Sequence, residues 1–378
     1  MGHWSFLVLV VVIAALAFDF TNGFHDTANA MATSVATGAL PPRVAVVISG
    51  ALNLVGAFLS TEVAKTISGG IVDDTLVTPW MIFAGLVGAI VWNLLTWLFG
   101  LPSSSSHALF GGLIGAVWVG AGVKGVHFTE VTEKILIPAV ASPVVAGVVA
   151  MVATYLAYVI TRRGREREVT RGFRFGQVAS ASLVSLAHGT NDAQKTMGVI
   201  TLTLISAGIL SHGSGPPWWV VLLAGMAIAL GTYAGGWRII RTMGKGLADI
   251  QSPQGFAAET ASTTVILASS HLGFALSTTQ VCSGGILGAG IGRRLAEVRW
   301  GVAGRMALAW VFTLPAAAVV GGVSAAVAKQ GTAGIVVICL AAVAVAVAIY
   351  TISRRDPVTA GNVNDQPTAP VVPATTAA

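Results

Sequence analysis

The chain contains, at Asn22–Thr33, the polar stretch NGFHDTANAMAT, which directly follows a long apolar run. A second copy, HGTNDAQKTMG, stands at His188–Gly198 and aligns with the first without a gap. In this alignment Asp26 falls on Asp192. We refer to the two copies as the first and second motif. A polar motif that occurs once in each half of an apolar sequence indicates an internal duplication with a functional site inside it.

The composition is that of an integral membrane protein. Of the 378 residues 54% are hydrophobic and only 10% are charged, with a mean hydropathy of +0.80, whereas an ordinary soluble chain is about 25% charged. The apolar runs are long and do not alternate with polar residues, so they predict helices rather than β-barrel strands. We therefore predict an all-α polytopic membrane protein with about ten to twelve helical segments, counting half-helices.

A second polar element also occurs once in each half. Leu101–His107 reads LPSSSSH, and Leu276–Gln280 reads LSTTQ. Each hydroxyl cluster follows an apolar segment and opens a glycine-rich one. Together with the two motifs, these clusters predict two polar helix breaks in each half, in the same order. Broken or re-entrant helices at membrane depth line a cavity or lie buried in protein.

Charge in the loops predicts two inverted-topology repeats, at residues 1–161 and 175–353. The arginine-rich linker at residues 162–174 is predicted to be cytoplasmic by the positive-inside rule, and residues 354–378 are predicted to form a disordered tail. The loop at residues 62–79 is not strongly basic, as an inverted first half requires. We therefore place the N-terminus outside and the C-terminus inside an inner (plasma) membrane, and we interpret the net charge of +6 as topology rather than nucleic-acid binding.

The apolar run before the first motif resembles the start of a secretory signal peptide. Residues 1–5 carry no Lys or Arg, and the second motif follows an equivalent apolar segment inside the chain. We therefore predict that the first run is retained as a helix.

Helix N-termini at the hydroxyl clusters are suited to binding an anion. Free backbone N–H groups at a helix start attract negative charge, and Ser and Thr add hydroxyl donors. The predicted substrate ligands are these hydroxyls together with polar residues of the motifs: Ser104, Ser105, Ser106, Thr278, Thr279, Asn29, Asn191 and Lys195.

The motif acids Asp26 and Asp192 need a separate explanation, because an acid repels an anion and is costly inside a membrane. They bind a coupling cation or proton, or they accept a hydrogen bond from a protonated oxyanion. Phosphate near neutral pH carries P–OH donors and sulfate carries none, so a pair of acceptors favours phosphate. His25 is a candidate proton carrier. Lys195, three residues after Asp192, is placed to neutralise that acid or to bind the anion.

The two motifs resemble the duplicated signatures of the inorganic phosphate transporter (PiT) family, and the hydroxyl clusters resemble its second repeated motif. The resemblance covers about residues 1–353 and implies a secondary symporter of inorganic phosphate that forms a homodimer. It places at the signature positions Asp26, Asn29, Asn191 and Asp192. It places at the hydroxyl positions Ser104, Ser105, Ser106, Thr278 and Thr279.

Two positions depart from the members that are driven by sodium. His25 and Lys195 stand where those members typically keep asparagine. The sequence looks more like the bacterial low-affinity permease branch, which uses protons and can carry phosphate as a neutral complex with magnesium or another divalent cation. The resemblance therefore implies proton coupling.

We expect a proton-driven symporter that imports inorganic phosphate, free or as a metal complex, and that needs no cofactor. Three alternatives remain open: a sodium-coupled phosphate symporter, with Asp26, Asp192 and Asn29 as sodium ligands, a proton-coupled sulfate permease, and a passive anion channel. An enzyme is disfavoured because the acids and hydroxyls occur as duplicated pairs rather than as one triad.

Overall fold

The computed structural model of the protein describes residues 5–293 and 298–365, which form an all-helical bundle. The only extended pairings among these residues are two single antiparallel bridges, Val72–Val126 and Ala248–Val298. The helices are α1 Phe6–Ala36, α2 Pro42–Gly56, α3 Glu62–Gly69, α4 Pro79–Leu98, α5 Ser105–Ala121, α6 Phe128–Val131, α7 Ile137–Thr161, α8 Glu166–Ser206, α9 Trp218–Ala234, α10 Trp237–Arg241, α11 Ser252–His271, α12 Thr278–Gly292, α13 Trp300–Ala328 and α14 Thr332–Ser353.

The helices agree with a membrane protein that crosses the bilayer several times. In the described part of the chain, five helices are long and apolar enough to span a membrane. The bent pair Trp218–Ala234 and Trp237–Gly246, with an angle of 62°, adds a sixth candidate span. Lipid-facing helices such as α14 expose most of their apolar side chains. The all-α, polytopic membrane fold predicted from the sequence is confirmed.

The order of elements repeats between the halves. The long motif helix is α1 in the first half and α8 in the second, and the helix pair α4–α5 has its counterpart in α11–α12. Both α7 and α13 carry a proline inside the helix, Pro143 and Pro315. The two isolated bridges also occupy equivalent places, each ahead of the helix that leads to this proline. The inverted orientation of the two halves stays a prediction.

The two halves exchange their helices instead of folding side by side. Helix α1 packs against α9 of the second half, and α8 packs against α2 of the first. In the same way α5 packs against α13, and α12 packs against α7. The backbones approach closely at glycines: a Cβ added at Gly111 would lie 2.3 Å from the carbonyl oxygen of Leu314, and one added at Gly284 would lie 2.3 Å from that of Pro143. Small residues permit such close packing in lipid.

This packing predicts a large cost for a single methyl group. We expect Gly111→Ala to lower the free energy of unfolding by about 1–3 kcal/mol, because the backbone of α13 must move away. Gly304→Ala, in the partner helix α13, is the matched control, since no heavy atom of another described segment lies within 4 Å of its added Cβ. Thermal unfolding of both variants in detergent checks the prediction. Equal midpoints for the two variants would contradict it.

The predicted break at each motif is wrong. Helix α1 runs unbroken through the first motif, and the 41-residue α8 runs unbroken through the second. The motifs contain no proline, and polar side chains alone leave the i to i+4 backbone bonds intact. The breaks predicted at the hydroxyl clusters are present, because α5 and α12 begin there.

The linker and the start of the tail are more ordered than the sequence suggests. Helix α8 begins at Glu166, inside the predicted linker. Residues 354–365 pack on the bundle, with the side chain of Val363 only 1% exposed. Arg241 donates to the carbonyl of Asn362 at 2.8 Å. The prediction of disorder from residue 354 is therefore wrong for residues 354–365, because backbone carbonyls there bind arginines of the bundle. Residues 366–378 lie outside the described residues.

Candidate functional site

The two motif acids meet in the interior of the bundle. Asp26 of α1 and Asp192 of α8 are both fully buried. One oxygen of each acid and one ring nitrogen of His188 lie within 4.8 Å of one another. The duplicated motifs thus form one site, although their acids are far apart in the sequence.

The N-termini of α5 and α12 begin beside this site. Ser104 and Ser277 are the N-cap residues, and their side chains accept hydrogen bonds from the backbone N–H groups of His107 at 3.1 Å and Gln280 at 3.3 Å. Such caps fix the first turn of each helix. The hydroxyls of the residues that follow each cap are left to face the acids.

Hydroxyls from both helix N-termini donate to the acids. Ser105 and Thr279 each donate to Oδ1 of Asp26 at 3.2 Å, and Thr278 donates to Oδ2 of Asp192 at 3.0 Å. The amide of Asn29 donates in turn to Thr278 at 3.2 Å and to Thr279 at 3.1 Å. These bonds join both motifs through one amide and three hydroxyls.

Lys195 is the buried cation of the site. Its ammonium contacts Oδ1 of Asp192 and donates to the carbonyl oxygen of Leu276 at 3.0 Å. Ser106 donates to the same carbonyl at 3.2 Å. The gap-free motif alignment places Lys195 on Asn29, so one half supplies an ammonium where the other supplies an amide.

Each motif acid also has a histidine beside it. Nδ1 of His25 lies 2.7 Å from Oδ1 of Asp26, and Nε2 of His188 lies 3.1 Å from Oδ2 of Asp192. Nδ1 of His188 lies 3.1 Å from Oδ1 of Asn53. A neutral His188 that donates from Nδ1 to this amide oxygen presents Nε2 as an acceptor facing a carboxylate. A proton or a metal cation between the two would satisfy both.

One predicted ligand lies apart from the hydroxyl contacts. Asn191 donates to the hydroxyl of Ser270 at 2.9 Å and to the carbonyl of Phe274 at 3.4 Å, so it holds the end of α11 and the loop before α12. The other predicted residues lie in or beside the contact network of the two acids. His188 was not predicted as a ligand, although it opens the second motif and its alignment with a buried Asn22 marks it as polar at a core position.

A second polar cluster closes the bundle between α1, α8 and α11. The buried carboxylate of Glu259 accepts from Thr33 at 2.5 Å and from Ser34 at 2.6 Å. It also accepts from Ser180 and, at 3.5 Å, from the amide of Gln177. The position of Glu259 in an apolar segment is a weak sequence signal for this role, and the donors come from two distant segments, α1 and α8.

The comparison with protein families matches a range of the chain that includes both motifs. The model of the phosphate transporter family matches residues 22–321, from the first motif into α13. This chain belongs to that family. The family assignment made from the two motifs and the hydroxyl clusters is thereby confirmed.

Family relatives extend over nearly the whole chain. A probable low-affinity inorganic phosphate transporter of Mycobacterium bovis is 58% identical over 367 residues, which are 96% of this chain and 88% of the relative. One of Rhizobium meliloti is 45% identical over 84% of this chain and 95% of the relative. A solved structure, titled the sodium-dependent phosphate transporter, has a TM-score of 0.77 at 24% identity and covers 86% of this chain and 100% of its own. That similarity supports the fold.

Proposed function

We propose that this chain is a proton-coupled symporter that imports inorganic phosphate through the site between α1, α8 and the N-termini of α5 and α12. The observation that carries the proposal is the set of hydroxyls that donate to Asp26 and Asp192 from both helix N-termini. The duplicated acids and hydroxyls support transport rather than catalysis, because no single acid–base–nucleophile set is needed to explain them.

The mixture of donors and acceptors supports phosphate as the substrate. A phosphate placed between the hydroxyls and the acids accepts from Ser105, Thr278 and Thr279 through its bare oxygens. Its P–OH groups donate to the carboxylates of Asp26 and Asp192. Each hydrogen bond that a hydroxyl now makes with an acid is therefore replaced by hydrogen bonds that both groups make with the phosphate. Sulfate has no such donor, so the carboxylate oxygens that the hydroxyls now occupy would lose those hydrogen bonds without replacement, which is costly in a buried site.

The charge of the site supports cotransport of a cation. Asp26 and Asp192 carry two negative charges and Lys195 carries one positive charge, so the addition of a phosphate anion makes the site strongly negative. A buried net charge of this size is unfavourable. Protons that enter together with the phosphate would balance it.

The placement of Lys195 supports protons rather than sodium as the coupling ion. Its ammonium lies between a carboxylate of Asp192 and the carbonyl of Leu276. Carboxylate and carbonyl oxygens are also the ligands of alkali cations. A fixed ammonium at such a position removes the need for one. Sodium coupling, with Asp26, Asp192 and Asn29 as ligands, is the alternative.

One arrangement favours a divalent metal–phosphate complex as a second form of the substrate. The ligand atoms of Asp26, His188 and Asp192 lie within 4.8 Å of one another. Two carboxylates and an imidazole are a common ligand set for divalent cations. A divalent cation at this point would bridge the acids to the phosphate, and metal and phosphate would then move together as cargo.

Radiolabelled phosphate uptake into proteoliposomes tests the proposal. An inward proton gradient, an inward sodium gradient or neither is imposed, with magnesium present or chelated. We expect phosphate to accumulate only with the proton gradient. A requirement for magnesium would identify the metal complex as the substrate. Accumulation that follows sodium would overturn proton coupling, and entry that ignores both gradients would favour a channel.

A further inference from the structure

A third acid lies buried in α1, about two turns before Asp26. Asp19 is 0% exposed, and neither of its carboxyl oxygens makes a hydrogen bond of ordinary geometry. Its polar neighbours are the amide of Asn22 on the same helix and the hydroxyl of Thr196 on α8. The side chains of these two neighbours are also buried and also without a hydrogen-bond partner. Three unpartnered polar groups thus meet at the seam between α1 and α8.

Two charged side chains of the transport site act on Asp19. Both belong to α8: Asp192 disfavours a negative charge on Asp19, and Lys195 favours it. Lys195 already contacts the carboxylate of Asp192, so its charge is largely compensated there.

Asp19 has no acidic counterpart in the second half. The motif alignment places Ser185 at the equivalent position of α8. Ser185 is fully satisfied, because its hydroxyl donates to the carbonyl of Ala181 at 2.9 Å and contacts the hydroxyl of Ser49 at 3.0 Å. The duplicated architecture therefore accepts a small neutral residue here. An acid at this one position is not explained by packing.

Burial of an unpaired carboxylate costs far more than burial of a carboxylic acid. The motif acids accept hydroxyl donors at ordinary hydrogen-bond distances and contact a histidine or lysine, whereas in the described part of the chain Asp19 has only the side chains of Thr196 and Asn22 beside it. A protonated Asp19 becomes a donor, and the side chains of Thr196 and Asn22 beside it each contain an oxygen that can accept from it. The buried position of Asp19 is therefore suited to the neutral acid.

We infer that Asp19 carries the coupling proton. The inference rests on the proposed phosphate symport and names the group that couples it. While Asp19 is protonated and neutral, Lys195 stays paired with Asp192 and phosphate can bind. When the seam between α1 and α8 opens to water, Asp19 loses its proton. The new negative charge then competes for Lys195 and lowers the affinity for phosphate. One proton is carried with each phosphate by this route.

The test separates phosphate exchange from proton movement in proteoliposomes. Asp19→Asn imitates the protonated acid, and Asp19→Ser copies the residue of the second half. We expect both variants to exchange phosphate in counterflow within about threefold of the wild type, since this exchange needs no net proton transfer. We expect both to lose the part of the lumen acidification that exceeds what the protons bound to the entering phosphate itself produce, as reported by an enclosed pH dye. Asp19→Glu is expected to restore it.

Asp249→Asn is the matched control, because Asp249 is an exposed acid in a loop. It is expected to move phosphate and protons as the wild type does. If Asp19→Asn and Asp19→Ser carry protons with phosphate at the wild-type ratio, the inference is wrong. The inference is also wrong if the folded variants lose counterflow, because it requires that a neutral residue at position 19 supports phosphate exchange. If the wild type itself moves no protons with phosphate, the proposed symport fails instead.

Discussion

Asp26→Asn and Asp192→Asn are each expected to abolish phosphate uptake while the protein still inserts and folds. Each substitution removes a carboxylate that accepts hydrogen bonds from hydroxyls of the site. We expect the same carboxylate to accept a hydrogen bond from a P–OH group of the substrate. Hydrogen bonds to charged groups contribute about 1.5–3 kcal/mol each, so the loss of two such bonds lowers uptake by roughly 100-fold or more.

Uptake of radiolabelled phosphate by reconstituted variants measures this effect, and size-exclusion chromatography in detergent checks the fold. Asp249→Asn is again the matched substitution of an exposed acid. Uptake near the wild-type rate in either motif variant would show that the carboxylates are not part of the transport site.

Lys195→Met is expected to destabilise the protein as well as to stop uptake. The ammonium is fully buried and contacts the carboxylate of Asp192. Removal of one partner of a buried ion pair costs about 3–5 kcal/mol, because the other charge is left uncompensated. The combined variant Asp192→Asn/Lys195→Met removes both charges. We therefore expect it to regain most of the stability but none of the uptake.

Thermal unfolding of the two single variants and the double variant forms a complete cycle. Lys65→Met is the control, since that lysine is half-exposed and paired with an exposed glutamate. If the single and double variants lose the same stability relative to the wild type, the buried pair is not coupled. The role given to Lys195 would then be incorrect.

The sequence is sufficient to predict that the two motifs form one site. The gap-free alignment of Asp26 with Asp192, together with a second repeated element, indicates a duplication whose copies meet. The hydroxyl residues at the starts of α5 and α12 are also predictable, since Ser and Thr before a glycine-rich apolar helix are strong N-cap signals. The structure confirms helix starts at both places.

The continuity of α1 and α8 is not predictable from the polar motifs alone. A run with Asn, His and Asp in an apolar context suggests a break, yet His25, Asp26 and Asn29 find partners on other helices. His25 illustrates this, because its Nε2 lies 3.1 Å from the hydroxyl of Thr96 on α4. Such a partner depends on tertiary contacts between segments far apart in the chain, which periodicity and propensity do not contain.

The roles of His188 and Glu259 depend on the same kind of long-range contact. His188 reaches Asn53 of α2 at 3.1 Å, and Glu259 collects donors from α1 and α8. In the sequence neither residue shows which distant side chains it will contact. The exchange of helices between the halves brings their partners together, and a single sequence does not specify that exchange.

The central claim is that Asp26 and Asp192 bind phosphate through its P–OH groups. Equilibrium binding of radiolabelled phosphate to the purified protein, with sulfate as competitor, tests it most directly. We predict that the wild type binds phosphate, that sulfate at the same concentration does not displace it, and that Asp192→Asn loses this binding. Displacement by equal sulfate, or undiminished binding by Asp192→Asn, would contradict the account.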